Sequence, residues 1–254
     1  MDLQERRALV ATRFSETYQG APTTWVRAPG RVDLMGSHTD YNLGYVMTMT
    51  IDRDTWLALR PRKDRRLRVH SLNLPGAADF SLDNIAHDEQ WPWTNYVRGM
   101  GWALQEAGYL LHGFDAIIHS TIPFGSGLSS SAALEMAVGH AFQVASAFTI
   151  DPVTLARLSQ RAENIFVGVN SGILDQYTSA MGQPRTALLL DCRNLTSRAI
   201  SLAPGLQVVI CDTRAERNLV GTEYGERRAQ CELGVRLLQL HYPTITSLRD
   251  VTPD

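Results

Sequence analysis

The chain has 254 residues, 44% of them hydrophobic and 20% charged, with a formal net charge of −2. That length suffices for one large domain or two modest ones around a real core, and the near-neutral balance offers no electrostatic footprint for nucleic acid or an anionic membrane. Three widely spaced cysteines, Cys192, Cys211 and Cys231, make neither a disulfide framework nor a zinc site. No run of 18 apolar residues and no signal-like N-terminus occurs, so a cytoplasmic chain with no nucleic-acid or membrane partner is expected.

Leu3, Leu9, Val10, Phe14 and Tyr18 recur at roughly helical spacing and predict a leading amphipathic helix over 2–18. Strands are expected at 25–35, 45–59 and 67–72, the first ending in the turn-rich run Gly36-Ser-His-Thr-Asp-Tyr-Asn-Leu-Gly44. The alternation of Trp56 and Ala58 with Leu57 and Leu59 leaves open which face is buried. A helix over 95–108 and a strand over 114–119 follow, then a glycine–serine loop and an alanine-rich helix over 132–148. Asp151-Pro152, an aspartate N-cap before a proline at the first helical position, opens another helix. After a glycine-punctuated loop at 168–172, the pattern gives a short helix at 173–181, strands at 186–190 and 206–211, and a long helix from about 223 to 240. The elements mix without regular βαβ alternation, which favours an α+β fold over a doubly wound sheet.

Three polar clusters carry chemistry. The first is the loop Pro123-Phe-Gly-Ser-Gly-Leu-Ser-Ser-Ser131 between a strand and a helix. Its glycines let backbone N–H groups point inward, and the helix N-terminus adds unpaired donors and a positive dipole end, an arrangement suited to phosphates. Two readings stand side by side: an anion cradle, or a serine-capped helix after a flexible turn. Of the 24 basic residues only Lys63 is a lysine, and it lies in none of the settings in which nucleotide enzymes use one, so ATP would have to be held without it. The second cluster, Pro29-Gly-Arg-Val-Asp-Leu-Met-Gly-Ser-His-Thr-Asp-Tyr41, brings Arg31, His38 and Asp40 together; it reads either as a set of partners for sugar hydroxyls or as a polar turn closed by Asp40. The third, Gly168-Val-Asn-Ser-Gly-Ile-Leu-Asp-Gln176, presents Asp175 either as a helix cap or as a general base where backbone closely approaches a ligand.

Taken in order, these clusters resemble the galactokinase branch of the GHMP small-molecule kinases. Further matching segments are Trp93-Thr-Asn-Tyr-Val-Arg-Gly99, Leu189-Leu-Asp-Cys-Arg193 and Glu223-Tyr-Gly-Glu-Arg-Arg-Ala-Gln-Cys-Glu232, and the six together span about residues 25–232. The resemblance implies a GHMP kinase-like α+β fold with an N-terminal domain over 1–182 and the start of a second α+β domain over 183–254. It implies transfer of phosphate from ATP, with Mg²⁺, to the anomeric hydroxyl of a galactose-like sugar, by a monomer. Asp175 would take or orient the hydroxyl proton, with Arg31 beside it. Ser37, His38, Asp40, the Gly172 backbone and Tyr224 would meet the sugar. Gly125, Ser126, Gly127, Leu128, Ser129, Ser130 and Ser131 would hold phosphates, Trp93 would stack near adenine, and Ser131 with Glu163 would hold Mg²⁺.

This sequence departs from the family pattern in three ways. Asp33 stands where asparagine is usual, and Ser37 where an acidic residue is usually directed at the sugar's C6 hydroxyl. The second change leads to an expectation of relaxed specificity, with a C6-modified sugar such as galacturonate as the alternative substrate. The family's third, glycine-rich motif is absent from this sequence, so a C-terminally truncated chain is expected, with a non-catalytic sugar- and ATP-binding regulator or an inactive fragment as the rival reading.

Overall fold

The computed structural model describes residues 1–212 and 223–252. Its sheet is built around one long strand. β2 (Tyr45–Pro61) pairs antiparallel with β1 (Thr24–Met35) from Thr24 opposite Leu59 to Met35 opposite Met47. On its other edge the last half of β2 pairs with β5 (Phe114–Ser120) and its first residues pair with β6 (Thr186–Asp191). β3 (Arg66–Ser71) lies parallel to β5, with β4 (Ala77–Ser81) outside it, and β7 (Thr196–Ser201) pairs with β6 at the far edge. The order is β4-β3-β5-β2-β6-β7, with β1 on β2.

Both faces of this sheet are covered, which answers the ambiguity along β2. Leu57 and Leu59 join Ala116 and Ile118 in the main core, under α2 (Thr94–Glu106), α3 (Ser130–Ser146) and α4 (Pro152–Arg161). Ala58 and Ile117 point the other way, onto Val10, Phe14 and Tyr18 of α1 (Leu3–Tyr18). Period-two alternation therefore sorts residues between two buried layers rather than between core and water. Asp2 and Glu5 close α1 with a reciprocal capping box, and Asp151 accepts the Thr154 N–H ahead of Pro152, as the start signals predict. A third apolar cluster seats α5 (Leu174–Met181) through Ile173, Leu174 and Tyr177 on Val46, Leu188 and Leu190.

The mixed order confirms the expected α+β class, and most expected elements are present. Residues 206–211, expected to form a strand, instead have no regular structure, and Leu206 and Val209 are exposed; an apolar run without a neighbouring strand has no ladder to join. β4 and β7 escaped notice because they are short edge strands of mixed polarity. β6 and β7 hydrogen-bond into the same sheet although they follow residue 182, where the sequence reading draws a domain boundary. The late helix is α6 (Glu223–Leu238). No helix of the described residues is long and apolar enough to cross a membrane.

Phe14 is fully buried between α1 and the sheet. Phe14→Ala is expected to lower stability by about 3–5 kcal/mol, read as a reduced urea midpoint at unchanged slope.

Candidate active site

The glycine–serine loop leaves β5 and turns on three left-handed residues, Gly125 (φ 70°), Gly127 (φ 75°) and Ser129 (φ 59°). β1 lies directly against it. A Cβ at Gly30 would stand 2.7 Å from the Leu128 carbonyl, so only glycine lets the two backbones approach this closely. The Arg31 N–H donates to that carbonyl at 3.2 Å, and Arg31 Nη1 donates to the Gly127 carbonyl at 2.6 Å. Ser126 donates to the Pro123 carbonyl at 2.8 Å. Ser129 occupies the N-cap position of α3, yet its hydroxyl makes no capping bond and donates to Asp175 Oδ2 at 2.5 Å. The first N–H groups of α3, where Ser130 and Ser131 lie, thus lack a side-chain cap and present the donors and dipole end that suit an anion.

Asp175 sits in the first turn of α5, one residue inside the helix, and it does not cap it. Its other oxygen pairs with Arg31 Nη2 at 2.5 Å, the two side chains being only 12% and 24% exposed. β1, the glycine–serine loop and α5 therefore meet at one ion pair. Ser179, further along α5, donates to the Pro29 carbonyl at 2.8 Å, and Thr178 shares a 2.6 Å bond with Thr48, so the helix is fastened to β1 and β2 as well.

The β1–β2 connection carries the second cluster. Its turn is closed by Thr39, whose hydroxyl lies within hydrogen-bond distance of the Gly36 and Tyr45 carbonyls, and by Asn42, which donates to the His38 carbonyl. The Asp40 carbonyl accepts the Leu43 N–H at 3.0 Å, but its side chain takes no part in closing the turn. Its carboxylate is 3% exposed, and neither oxygen has a hydrogen-bond partner among the described residues. It lies against Gly172, where any Cβ would collide with it. Burial, opposed by the Tyr41 backbone N–H and reinforced by the nearby charges of Asp175 and Asp33, pushes the Asp40 carboxyl up to about 7. The Gly172 N–H donates to the Tyr224 hydroxyl at 3.3 Å, and Tyr224 packs with His38 and Tyr41 at ring separations of 5.3 and 5.4 Å. His38 Nδ1 and the Tyr41 hydroxyl are 2.8 Å apart. Burial, then the Asp40 charge, pushes the Tyr224 hydroxyl well above its usual range. Ser37 is exposed on the same loop.

Glu163 lies beyond α4, in a π-helical turn, Ala162–Val167, that widens the end of the helix and carries the side chain into the interior, where it is 3% exposed. Burial raises its carboxyl, while Ser171, Ser131 and Gln176 favour its ionised form. Trp93 stands apart from these groups at the start of α2, its ring packed on the main core and its indole N–H donated to the Pro75 carbonyl.

An anion-ready loop at the head of a helix, an arginine–aspartate pair beside it and a buried carboxylate next to a glycine backbone meet on a fold of the GHMP kinase type. The GHMP kinases N terminal domain matches residues 95–183, and the galactokinase galactose-binding signature matches residues 12–61. The first match points to the GHMP kinases and the second to galactokinases. It is 49% identical over 242 residues to a galactokinase of Roseiflexus sp. (strain RS-1), covering 95% of this chain and 62% of that protein. It is 48% identical to one of Chloroflexus aggregans (strain MD-66 / DSM 9485), covering 93% and 61%. Lactococcus lactis galactokinase, solved in complex with galactose, superposes with a TM-score of 0.86 at 34% identity, over 98% of this chain and 65% of that one. A mevalonate kinase shares the fold at 18% identity and a TM-score of 0.56, over 70% and 56% of the two chains. The chain thus spans a little over three fifths of the length of the curated relatives it matches.

The sequence reading missed several supports. Ser171 and Gln176 hold Glu163, Arg228 of α6 donates to the Ser171 carbonyl at 3.2 Å, and Arg249 donates to the Leu43 carbonyl of the β1–β2 connection at 2.6 Å. Glu135 is buried among apolar positions of α3, its carboxyl raised well above the usual range by burial and by Glu163. A lone acid on an otherwise apolar helix face, four residues after Ser131, was the available signal.

A folded carboxyl raised to about 7 favours the native state below about pH 4, and that contribution is lost as pH rises through 7. Asp40→Asn is therefore expected to match the native protein in stability near pH 4. It should exceed it above pH 7 by on the order of a few kcal/mol, measured as thermal unfolding across pH 4–8.

Proposed function

We propose that this chain carries the phosphate loop and sugar site of an ATP-dependent kinase that phosphorylates galactose at its anomeric hydroxyl. The observation that carries this reading is the position of Asp175, 2.5 Å from both Arg31 Nη2 and Ser129 Oγ, where the phosphate loop and the sugar cluster meet. In the reaction the anomeric oxygen bonds to the γ-phosphorus, the bond from that phosphorus to its bridging oxygen breaks, and ADP leaves with the bridging oxygen. The hydroxyl proton passes to Asp175 and then to solvent. Arg31 favours the ionised aspartate and offsets charge on the transferring group. Phosphoryl transfer asks the protein mainly for positioning and charge stabilisation, so this sparse set is chemically sufficient.

The backbone donors at residues 125–130 hold the phosphates without a lysine. Asp40 offers a buried carboxyl group with no side-chain partner to sugar hydroxyls, with His38, Tyr224, the Gly172 backbone and Ser37 around the same space. Trp93 is assigned to the adenine side.

The residues present fit Mg²⁺ brought in with the nucleotide. Ser131 and Glu163 supply hard oxygen ligands, and no group of three or more His, Cys, Asp or Glu among the described residues would hold an ion unaided. When bound there, Mg²⁺ neutralises phosphate charge. The cysteines are free, which suits a reducing compartment, and the cytoplasm is the setting we assign.

The test is ADP release from ATP and galactose, with phosphorus NMR to locate the phosphate on C1. Asp175→Asn is expected to lower kcat by about 10²–10⁴-fold while leaving galactose binding within a few-fold. Turnover that survives the substitution would sink the role assigned to Asp175.

A further inference from the structure

Three helices bring paired positions to one place. α3 contributes Ser131 and Glu135, four residues apart on one face, and α4 with its π turn contributes Ser159 and Glu163, again four apart. α5 contributes the neighbours Asp175 and Gln176. Ser131, Glu163 and Asp175 are the groups assigned above to metal and proton. Beneath them lie Ser159, Glu135 and Gln176, each 0% exposed and none touching the phosphate loop or the sugar cluster through a hydrogen bond in the structure.

Gln176 Nε2 stands 2.8 Å from Glu163 Oε2 and 3.1 Å from Glu135 Oε2. A side-chain amide nitrogen carries two hydrogens, one for each carboxyl group. In the structure the amide nitrogen faces both carboxyl groups, and the amide oxygen has no hydrogen-bond partner among the described residues. Ser159 donates to the same Glu135 oxygen at 3.4 Å, and Ser171 donates to Glu163 Oε2. Without the amide, nothing would bridge the two buried carboxyl groups, and Glu163 would lose one of the groups that hold its Oε2 in place.

We propose that Gln176 is a positioning residue: its amide, braced from below by Glu135, fixes the Glu163 carboxylate and ties it to Asp175 through the first turn of α5. One side chain then sets the spacing between the acid that meets the metal and the aspartate that meets the proton. The inference rests on the assignment of Glu163 to Mg²⁺ made above. Partners of metal ligands of this kind change metal affinity when removed, although they touch neither ion nor substrate.

The experiment is calorimetric binding of ADP to the 254-residue chain, in Mg²⁺ and in EDTA, for the native protein and Gln176→Met, a near-isosteric change that deletes both donors. The substitution is expected to weaken ADP binding in Mg²⁺ by about 10- to 100-fold and to change it less than about twofold in EDTA. Equal losses under both conditions would show a merely structural role and overturn the proposal, as would an unchanged Mg²⁺ preference. If Gln176→Met does not fold, Glu135→Leu/Gln176→Met leaves no second buried carboxyl group and takes its place with the same expected and overturning results. Native protein that binds ADP no more tightly with Mg²⁺ than in EDTA would instead remove the assignment of Glu163, and the proposal with it.

Discussion

Carboxylates crowd the centre of this molecule, and the Arg31–Asp175 ion pair makes that crowding tolerable. Asp175 and Asp33 push on Asp40, Asp175 pushes on Glu163, and Glu163 pushes on Glu135. Arg31 enters this group on β1 and is held at three points: its N–H by Leu128, one guanidinium nitrogen by Gly127 and the other by Asp175. A pair this shielded is worth more than one on the surface, because neither water nor salt screens it fully. The same three contacts fix the separation of strand, loop and helix. Electrostatics and geometry are therefore one constraint here.

Ser129 lies at the join between two opposed environments. Its backbone opens α3, where the helix favours negative charge, while its hydroxyl reaches into the acidic group through Asp175. A left-handed conformation at a residue other than glycine stores strain, and it persists because β1 packs against the loop from one side and α5 from the other. Gly30 and Gly172 serve the same end: each removes a side chain so that backbone can lie against a neighbouring group, the Leu128 carbonyl in one case and the Asp40 carboxyl in the other.

Much of this was legible in the sequence, for local reasons. Gly125, Gly127 and the serines mark a loop whose backbone must turn sharply, Asp151-Pro152 announces a helix start, and strands are expected where β1, β2 and β5 lie. The unread parts depend on partners distant in the chain. Nothing near Asp40 says that its carboxylate would be left without a donor, because the space around it is made by Gly172, 132 residues further on, and by Tyr224 beyond that. Glu163 sits in a helical pattern that gives no warning of a π turn, so the resemblance, and not the local pattern, points it at the site. Residues 206–211 show the reverse error: an apolar, β-branched run is only a candidate strand until another strand stands beside it.

The scarcity of lysine also has a practical side. Lys63 is exposed in the connection after β2, whereas the β1–β2 loop with His38 and Asp40 precedes that strand. Seventeen residues of extended chain separate the two ends, roughly 50 Å at about 3.3 Å per residue. Apart from the amino terminus, the chain therefore offers amine-directed reagents a single handle, at the opposite end of its longest strand from the sugar loop. A molecule coupled to a surface through that handle would carry the loop at the far end of β2.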